Sequence, residues 1–304
     1  MQVITEQGND EIARVYVVRF SDGSSVECVE SIQPPFKRED KWVLIISTLR
    51  GCPVKCIMCD AGGYYTGKIS REEMIQQIDM MVRRRYPDGK IPCRKFKIQF
   101  ARMGDPAFNM DVISVLNELP ELYDAPGLMP SISTIAPASS SGFMEELIDV
   151  VHRKYSPGFF QMQFSLHTTD IEKRKILIPT KTMSFGEMAL WGEKIYRVGD
   201  RKVTLNFAGV KNYPMDAKVL REYFDPERFI VKLTPVNPTR NMKYNNLQSA
   251  VIPEEHENNA KIVNSFKDVG YEVILSIGEL EENAIGSNCG MYAICDETMN
   301  QKRV

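Results

Sequence analysis

Trp42-Val43-Leu44-Ile45-Ile46-Ser47-Thr48-Leu49-Arg50-Gly51-Cys52-Pro53-Val54-Lys55-Cys56-Ile57-Met58-Cys59 begins as an unbroken apolar run and ends on a loop that carries three cysteines. An apolar run without polar alternation predicts a strand buried on both faces, as in parallel sheets covered by helices. Further strands are predicted at 96–100, 130–134, 160–165, 203–207, 229–234 and 271–277. Helical patterns fall between them. Ser70 with Glu73 makes a capping box ahead of Met74, Ile75, Ile78, Met81 and Val82; Ser184 with Glu187 does the same ahead of Met188, Trp191 and Ile195. Other helices are expected at 111–119, 143–154, 215–224 and 253–269, the last stopping at Gly270. Serial βα units imply an α/β fold, a partial (β/α)6 barrel of the TIM type, closed or nearly closed, with its chemistry at the carboxyl ends of the strands.

Upstream, Val15, Val17 and Phe20 alternate with polar residues, Asp22-Gly23 turns the chain, and Val26, Cys28 and Ile32 continue the pattern, which predicts a β-hairpin. A polar linker with Pro34, Pro35, Lys37, Arg38, Glu39 and Asp40 follows. Three regions result: an N-terminal β-hairpin extension at 1–40, the barrel core at 41–278, and a C-terminal loop and tail at 279–304.

With 304 residues and 43% hydrophobic content, the chain can bury one large core. Its formal net charge of -2 gives no general attraction to polyanions. No stretch approaches the roughly 18 apolar residues of a membrane span, and Met1 to Asp10 is too polar for a secretory signal. A soluble, cytoplasmic monomer that does not engage a membrane is expected. The 7 cysteines are odd in number and the chain is too long to need disulfide staples, so metal binding or catalysis explains them better.

Cys52, Cys56 and Cys59 are spaced to place three thiolates on one short loop after the first core strand. Such a set can ligate three irons of a four-iron, four-sulfur ([4Fe-4S]) cluster and leave the fourth open. An open iron can chelate the amino and carboxylate groups of S-adenosylmethionine (SAM), whose reductive cleavage yields a 5'-deoxyadenosyl radical. A zinc knuckle is the alternative; it wants a fourth cysteine or histidine close by, and the first histidine is His152.

The chain resembles the radical SAM superfamily, and within it the ribosomal RNA adenine C2/C8 methyltransferases. The blocks that carry the likeness are RFSDGSSVECVES (19–31), IISTLRGCPVKCIMC (45–59), ARMGDPAFN (101–109), SISTIAP (131–137), FSLHTTDIEKRKILIP (164–179), KLTPVNP (232–238) and GSNCGMY (286–292). The resemblance implies that Met103, Gly104, Asp105 and Pro106 meet the methionyl amino group of the cofactor and that Ser133 meets its ribose. It also implies that Ser165, His167 and Asn237 line the cofactor and the reacting base. By the same likeness Cys289 takes a methyl group from one cofactor molecule, and a radical from a second then abstracts hydrogen from that S-methyl. An electron donor such as flavodoxin or ferredoxin, and RNA or another nucleobase-containing substrate, are the implied partners.

Several positions depart from the family. Its members carry a second, resolving cysteine where this chain has Ile45, so Cys28, Cys295 or another base must release product, or the chemistry ends differently. The resemblance implies a sizeable N-terminal domain that helps the ribosomal enzymes hold RNA, and the segment before Trp42 is expected not to supply one. Glu279, Glu281, Glu282 and Asn283 stand where the family is basic, and acids there would repel phosphates. Arg83-Arg84-Arg85 and Lys173-Arg174-Lys175 could form a basic rim, although charged runs on helices are usually solvated faces. Met58 replaces an aromatic near the cofactor's adenine, an adaptable exchange. Two chemistries therefore stay open: methyl transfer through Cys289, and direct hydrogen abstraction by the 5'-deoxyadenosyl radical from a non-RNA substrate. A metal-stabilised nucleic-acid-binding protein is the non-enzyme reading, disfavoured by the acidic balance.

Overall fold

The computed structural model describes residues 1–32 and 34–278, together with 281, 285, 286 and 292. Strands β1 (Gln2–Gly8), β2 (Ala13–Arg19) and β3 (Ser25–Ser31) run antiparallel, and β3 pairs antiparallel with β4 (Trp42–Ile46). A separate two-stranded sheet, β5 (Leu49–Gly51) with β6 (Tyr65–Lys68), brackets the cysteine loop. The main sheet continues in parallel from β4 through β7 (Phe96–Phe100), β8 (Leu128–Thr134), β9 (Gln161–Ser165), β10 (Val203–Ala208), β11 (Phe229–Thr234) and β12 (Val273–Leu275). Among the described residues the strand order is linear from β1 to β12, so the barrel is open at both edges rather than closed.

The N-terminal part is larger than a hairpin. Residues 2–8, too polar to announce a strand, form β1, an edge strand whose side chains are mostly exposed. An edge strand needs no apolar face toward helices, and its polar surface blunts further pairing. The hairpin turn itself is as expected, with Gly23 at φ 84 and Ser24 N donating to the Asp22 carboxylate at 2.9 Å.

Helices α1 (Arg71–Arg85), α2 (Asp111–Leu122), α3 (Ser141–Lys154), α4 (Ile171–Leu177), α5 (Phe185–Ile195), α6 (Ala217–Tyr223), α7 (Arg240–Tyr244) and α8 (His256–Lys267) occupy the crossovers. Both expected capping boxes are formed, Ser70 with Glu73 on α1 and Ser184 with Glu187 on α5. Alternate residues of the parallel strands, such as Leu44, Ile98, Phe164, Leu205 and Val231, are buried with Ile78, Leu116, Leu147 and Met188 from the helices. Each such side chain is worth about 1.5–3 kcal/mol of burial. This packing fixes the strands in register and leaves their carboxyl ends as the rim on which the loops assemble.

The two basic runs do not form a rim. Arg84 makes a paired contact with Glu6 at 2.8 and 2.9 Å, Arg85 binds Glu30 and Asp10, and Arg83 binds Asp79. They tie the end of α1 to the N-terminal strands. Lys175 pairs with Glu172, Lys173 donates to the Asn212 carbonyl, and Arg174 is buried. Among the described residues no helix is long and apolar enough to cross a membrane.

Candidate active site

The cysteine loop leaves β4 through Ser47 and Thr48 and is held at its base by β5 and β6. Gly51 sits at φ 75, and a Cβ there would lie 1.8 Å from the Tyr64 carbonyl oxygen, so only glycine permits this approach. Opposite it, Cys52 N donates to Tyr64 O at 3.0 Å. The loop then carries Cys52, Cys56 and Cys59, all free thiols of intermediate exposure. Backbone amides of Val54, Lys55 and Asp105 point at the Cys52 sulfur, and those of Ala61 and Gly62 at the Cys59 sulfur. Lys55 adopts φ 57, which helps turn the amides inward.

Burial pushes the Cys52 and Cys59 thiols up to about 11, and burial with repulsion from its two neighbours drives Cys56 well above its ordinary value. Three thiols that hinder one another's ionisation become thiolates together only when a cationic centre compensates them. Among the described residues no three His, Cys, Asp or Glu side chains converge closely enough to hold a single metal ion. The donor set, with five amides to stabilise sulfur charge, fits a group that takes three thiolates, such as a cluster.

Two crossover loops, from β9 and β11, clasp this loop. Leu177 O accepts from Ile57 N at 3.1 Å, and Thr180 Oγ1 donates to Val54 O at 3.2 Å. From the β11 side, Asp60 caps α7 by accepting from Arg240 N and Asn241 N at 3.0 and 2.9 Å. Asn241 Nδ2 donates to Cys59 O at 2.8 Å, Thr239 Oγ1 to Met58 O at 2.8 Å, and Asn245 Nδ2 to Ile57 O at 2.9 Å. Asp60, Thr239, Asn241 and Asn245 escape a sequence reading because they act through main-chain atoms far along the chain; the cluster of Asn near PVNP is the only signal. Met58 packs in a small apolar cluster with Val54, Ile135, Leu177 and Val236.

Residues expected to line the cofactor gather at adjacent strand ends. Gly104 follows β7 at φ 88, and a Cβ there would lie 2.3 Å from that of Leu49, which pins this segment against β5. Asp105 is turned inward: its carboxylate accepts from Ala107 N at 2.9 Å, from Thr134 Oγ1 at 2.8 and 3.0 Å, and from Ile135 N at 2.7 Å. Burial raises its pKa to about 6 against those hydrogen bonds. It staples the loop after β7 to the end of β8, and the following Pro106 is buried. Ser133 lies near the end of β8 and Ser165 at the end of β9, both half-buried. His167 has φ 66, and its Nδ1 accepts from Ala208 N at 3.1 Å, which leaves the proton of the neutral ring on Nε2. Burial, with Arg174 nearby, lowers its pKa to about 3. Asn237 follows β11, and its carbonyl accepts from Thr239 N at 2.8 Å. Ser133, Ser165, His167 and Asn237 thus stand on the same rim as the cysteine loop.

Cys289 and Cys295 lie outside the described residues, as do Glu279, Glu282 and Asn283. The chain on either side of Cys289 is nonetheless anchored. Arg102 Nη2 donates to Gly286 O at 2.9 Å, and Tyr292 N donates to Glu27 Oε1 at 2.6 Å, while Arg102 and Glu27 form an ion pair with side chains 1% and 0% exposed. Ile45, half-buried, packs with Val29, Ile285 and Tyr292 on this same face. Cys28, by contrast, is buried among Tyr16, Val18 and Val26 in the main core, one residue out of phase with Glu27, and burial raises its thiol far above the usual range.

No family profile matches the chain. Curated relatives include the dual-specificity RNA methyltransferase RlmN of Sulfurovum sp. (strain NBC37-1), 25% identical over 78% of this chain and 67% of the relative. The probable dual-specificity RNA methyltransferase RlmN of Thermotoga sp. (strain RQ2) is 29% identical over 74% of this chain and 62% of that one. The chain thus spans about two thirds of their length or less. Among solved structures, a radical SAM methyltransferase from Sphaerobacter thermophilus superposes with a TM-score of 0.72 at 19% identity, over 96% of this chain and 81% of that one. Streptococcus suis SuiB bound to S-adenosylmethionine gives 0.53 at 14% identity over 79% and 50%. By its order of motifs and its relatives, the chain is a homologue of the RlmN-type RNA methyltransferases and carries the fold of a radical SAM methyltransferase.

Proposed function

We propose that the chain is a cytoplasmic radical SAM methyltransferase that holds a four-iron, four-sulfur cluster on Cys52, Cys56 and Cys59 and methylates an sp2 carbon of a nucleobase-like substrate, RNA adenine by resemblance, through a methylated Cys289. The observation that carries this reading is the thiol loop itself, ringed by inward amides and clasped by the loops that follow β9 and β11. When bound, cluster and cofactor supply a 5'-deoxyadenosyl radical, with the electron coming from a donor such as flavodoxin or ferredoxin. Gly104 brings the backbone after β7 against the cysteine loop, and Asp105 fixes that segment to β8, so the main chain there is set to meet the methionyl group. Ser133, Ser165 and Asn237 offer short polar groups to the ribose and base. His167, neutral at physiological pH, presents Nε2–H as a donor and holds its proton. Cys289 would be the thiol to receive the methyl group that a bound S-adenosylmethionine can supply, the sulfonium leaving as S-adenosylhomocysteine and the thiol proton going to solvent or base.

The test is anaerobic reconstitution with S-adenosylmethionine and a reductant, followed by mass spectrometry of the peptide that contains Cys289. A methyl mass on Cys289 is the expected result. Ile45 favours a second reading, in which the same site uses the radical directly on a non-RNA substrate, because isoleucine cannot act as the resolving thiol. That reading predicts abundant 5'-deoxyadenosine, no methyl on Cys289, and indifference to Cys289→Ala.

A further inference from the structure

Arg174 is 4% exposed, and every hydrogen bond it makes goes to an uncharged oxygen: Nε to Leu166 O at 3.2 Å, Nη2 to Ile135 O and Ser165 O at 3.1 Å each, and Nη1 to Thr182 Oγ1. Among the described residues no carboxylate pairs with it. A buried guanidinium without a counter-ion is costly, and four neutral acceptors solvate its protons without neutralising its charge. Ile135, whose carbonyl it holds, and Leu177 of its own helix pack with Val54 and Met58 in the apolar cluster against which Cys52 and Cys56 lie. Burial still lowers the pKa of Arg174 to about 10, so it remains charged at neutral pH. Its helix, α4, is bound to the cysteine loop through Leu177 O and Ile57 N. The side chain thus ties the ends of β8 and β9 to α4 beside the apolar cluster that carries the cysteine loop.

We infer that Arg174 is the built-in counter-charge of the cluster held by Cys52, Cys56 and Cys59, and that it sets the cluster's reduction potential. The inference rests on the proposed cluster. A fixed positive charge in a low-dielectric surrounding stabilises the reduced, more negative cluster over the oxidised one, which raises the potential. The middle residue of a run that reads as a solvated basic patch is therefore an inward electrostatic element, while its neighbours Lys173 and Lys175 stay at the surface.

The experiment is an EPR-monitored redox titration of the reconstituted protein without S-adenosylmethionine, for wild type, Arg174→Gln and Arg174→Lys, with iron and sulfide content measured on each. Arg174→Gln is expected to be at least tenfold less reduced at a fixed potential, a midpoint lowered by about 59 mV for one electron. Arg174→Lys keeps the charge and is expected to stay within threefold of wild type. An unchanged midpoint in Arg174→Gln, or an equal shift in both variants, would overturn the inference. Loss of iron from Arg174→Gln alone supports it; equal loss from both variants overturns it, because hydrogen-bond geometry rather than charge is then what matters. A wild-type protein without iron and sulfide instead removes the proposed site itself.

Discussion

Asp105 shows how a single side chain divides between fold and site. Its two oxygens serve Ala107 N, Thr134 Oγ1 and Ile135 N, and burial holds its pKa near 6. Asp105→Asn puts an NH2 where one of those acceptors stood, and a buried donor left without a partner costs about 1–3 kcal/mol; urea denaturation at pH 7 should show a loss of that size. His167 yields a prediction in pH. Its folded pKa of about 3 lies below the ordinary 6.5, so between those values the unfolded chain binds more protons and stability falls as pH falls. The difference in urea midpoint between wild type and His167→Asn should therefore shift against wild type from pH 7 to pH 4. A difference that stays constant across that range would mean the imidazole protonates equally in both states.

At the scale of elements, the cysteine loop depends on the small β5–β6 sheet. Gly51→Ala forces a Cβ against the Tyr64 carbonyl and strains a residue at φ 75. The expected cost is of order 1–3 kcal/mol, with poorer iron retention after reconstitution, while the far-UV CD spectrum keeps its α/β shape. Elements marked by local rules were legible in the sequence. β4 followed from five apolar residues, and α1 and α5 from their capping boxes. The elements that were not legible lack such signals. β1 is a polar edge strand, β5 and β6 are three and four residues long, and α4 is a seven-residue helix whose cap, Asp170, sits within a run of charges. For the same reason the thiol loop could be read from its spacing, whereas its clasp by α7 and the inward turn of Asp105 could not, because both depend on contacts between distant crossovers.

Across the whole molecule, the N-terminal strands do more than extend the sheet. Glu27 on β3 and Arg102 after β7 form a buried pair that also binds Gly286 and Tyr292, so the chain to either side of Cys289 returns to the face that carries Ile45. Breaking such a pair from one side leaves a buried charge and costs about 3–5 kcal/mol. Glu27→Gln should lower stability by that amount in urea denaturation and speed amide exchange at Tyr292, whose N–H donates to Glu27. Arg84 and Arg85 reach Glu6, Asp10 and Glu30 across the same N-terminal sheet, a pairing no local pattern could announce. On this account the loops at the carboxyl ends of the parallel strands are assembled around one thiol loop. The direct measurement is iron, acid-labile sulfide and 5'-deoxyadenosine from protein reconstituted without oxygen and mixed with S-adenosylmethionine and dithionite. The account predicts about four irons and four sulfides per chain and 5'-deoxyadenosine that vanishes when Cys52, Cys56 and Cys59 all become alanine; a wild-type chain without iron and sulfide, or a triple variant that still cleaves the cofactor, would contradict it.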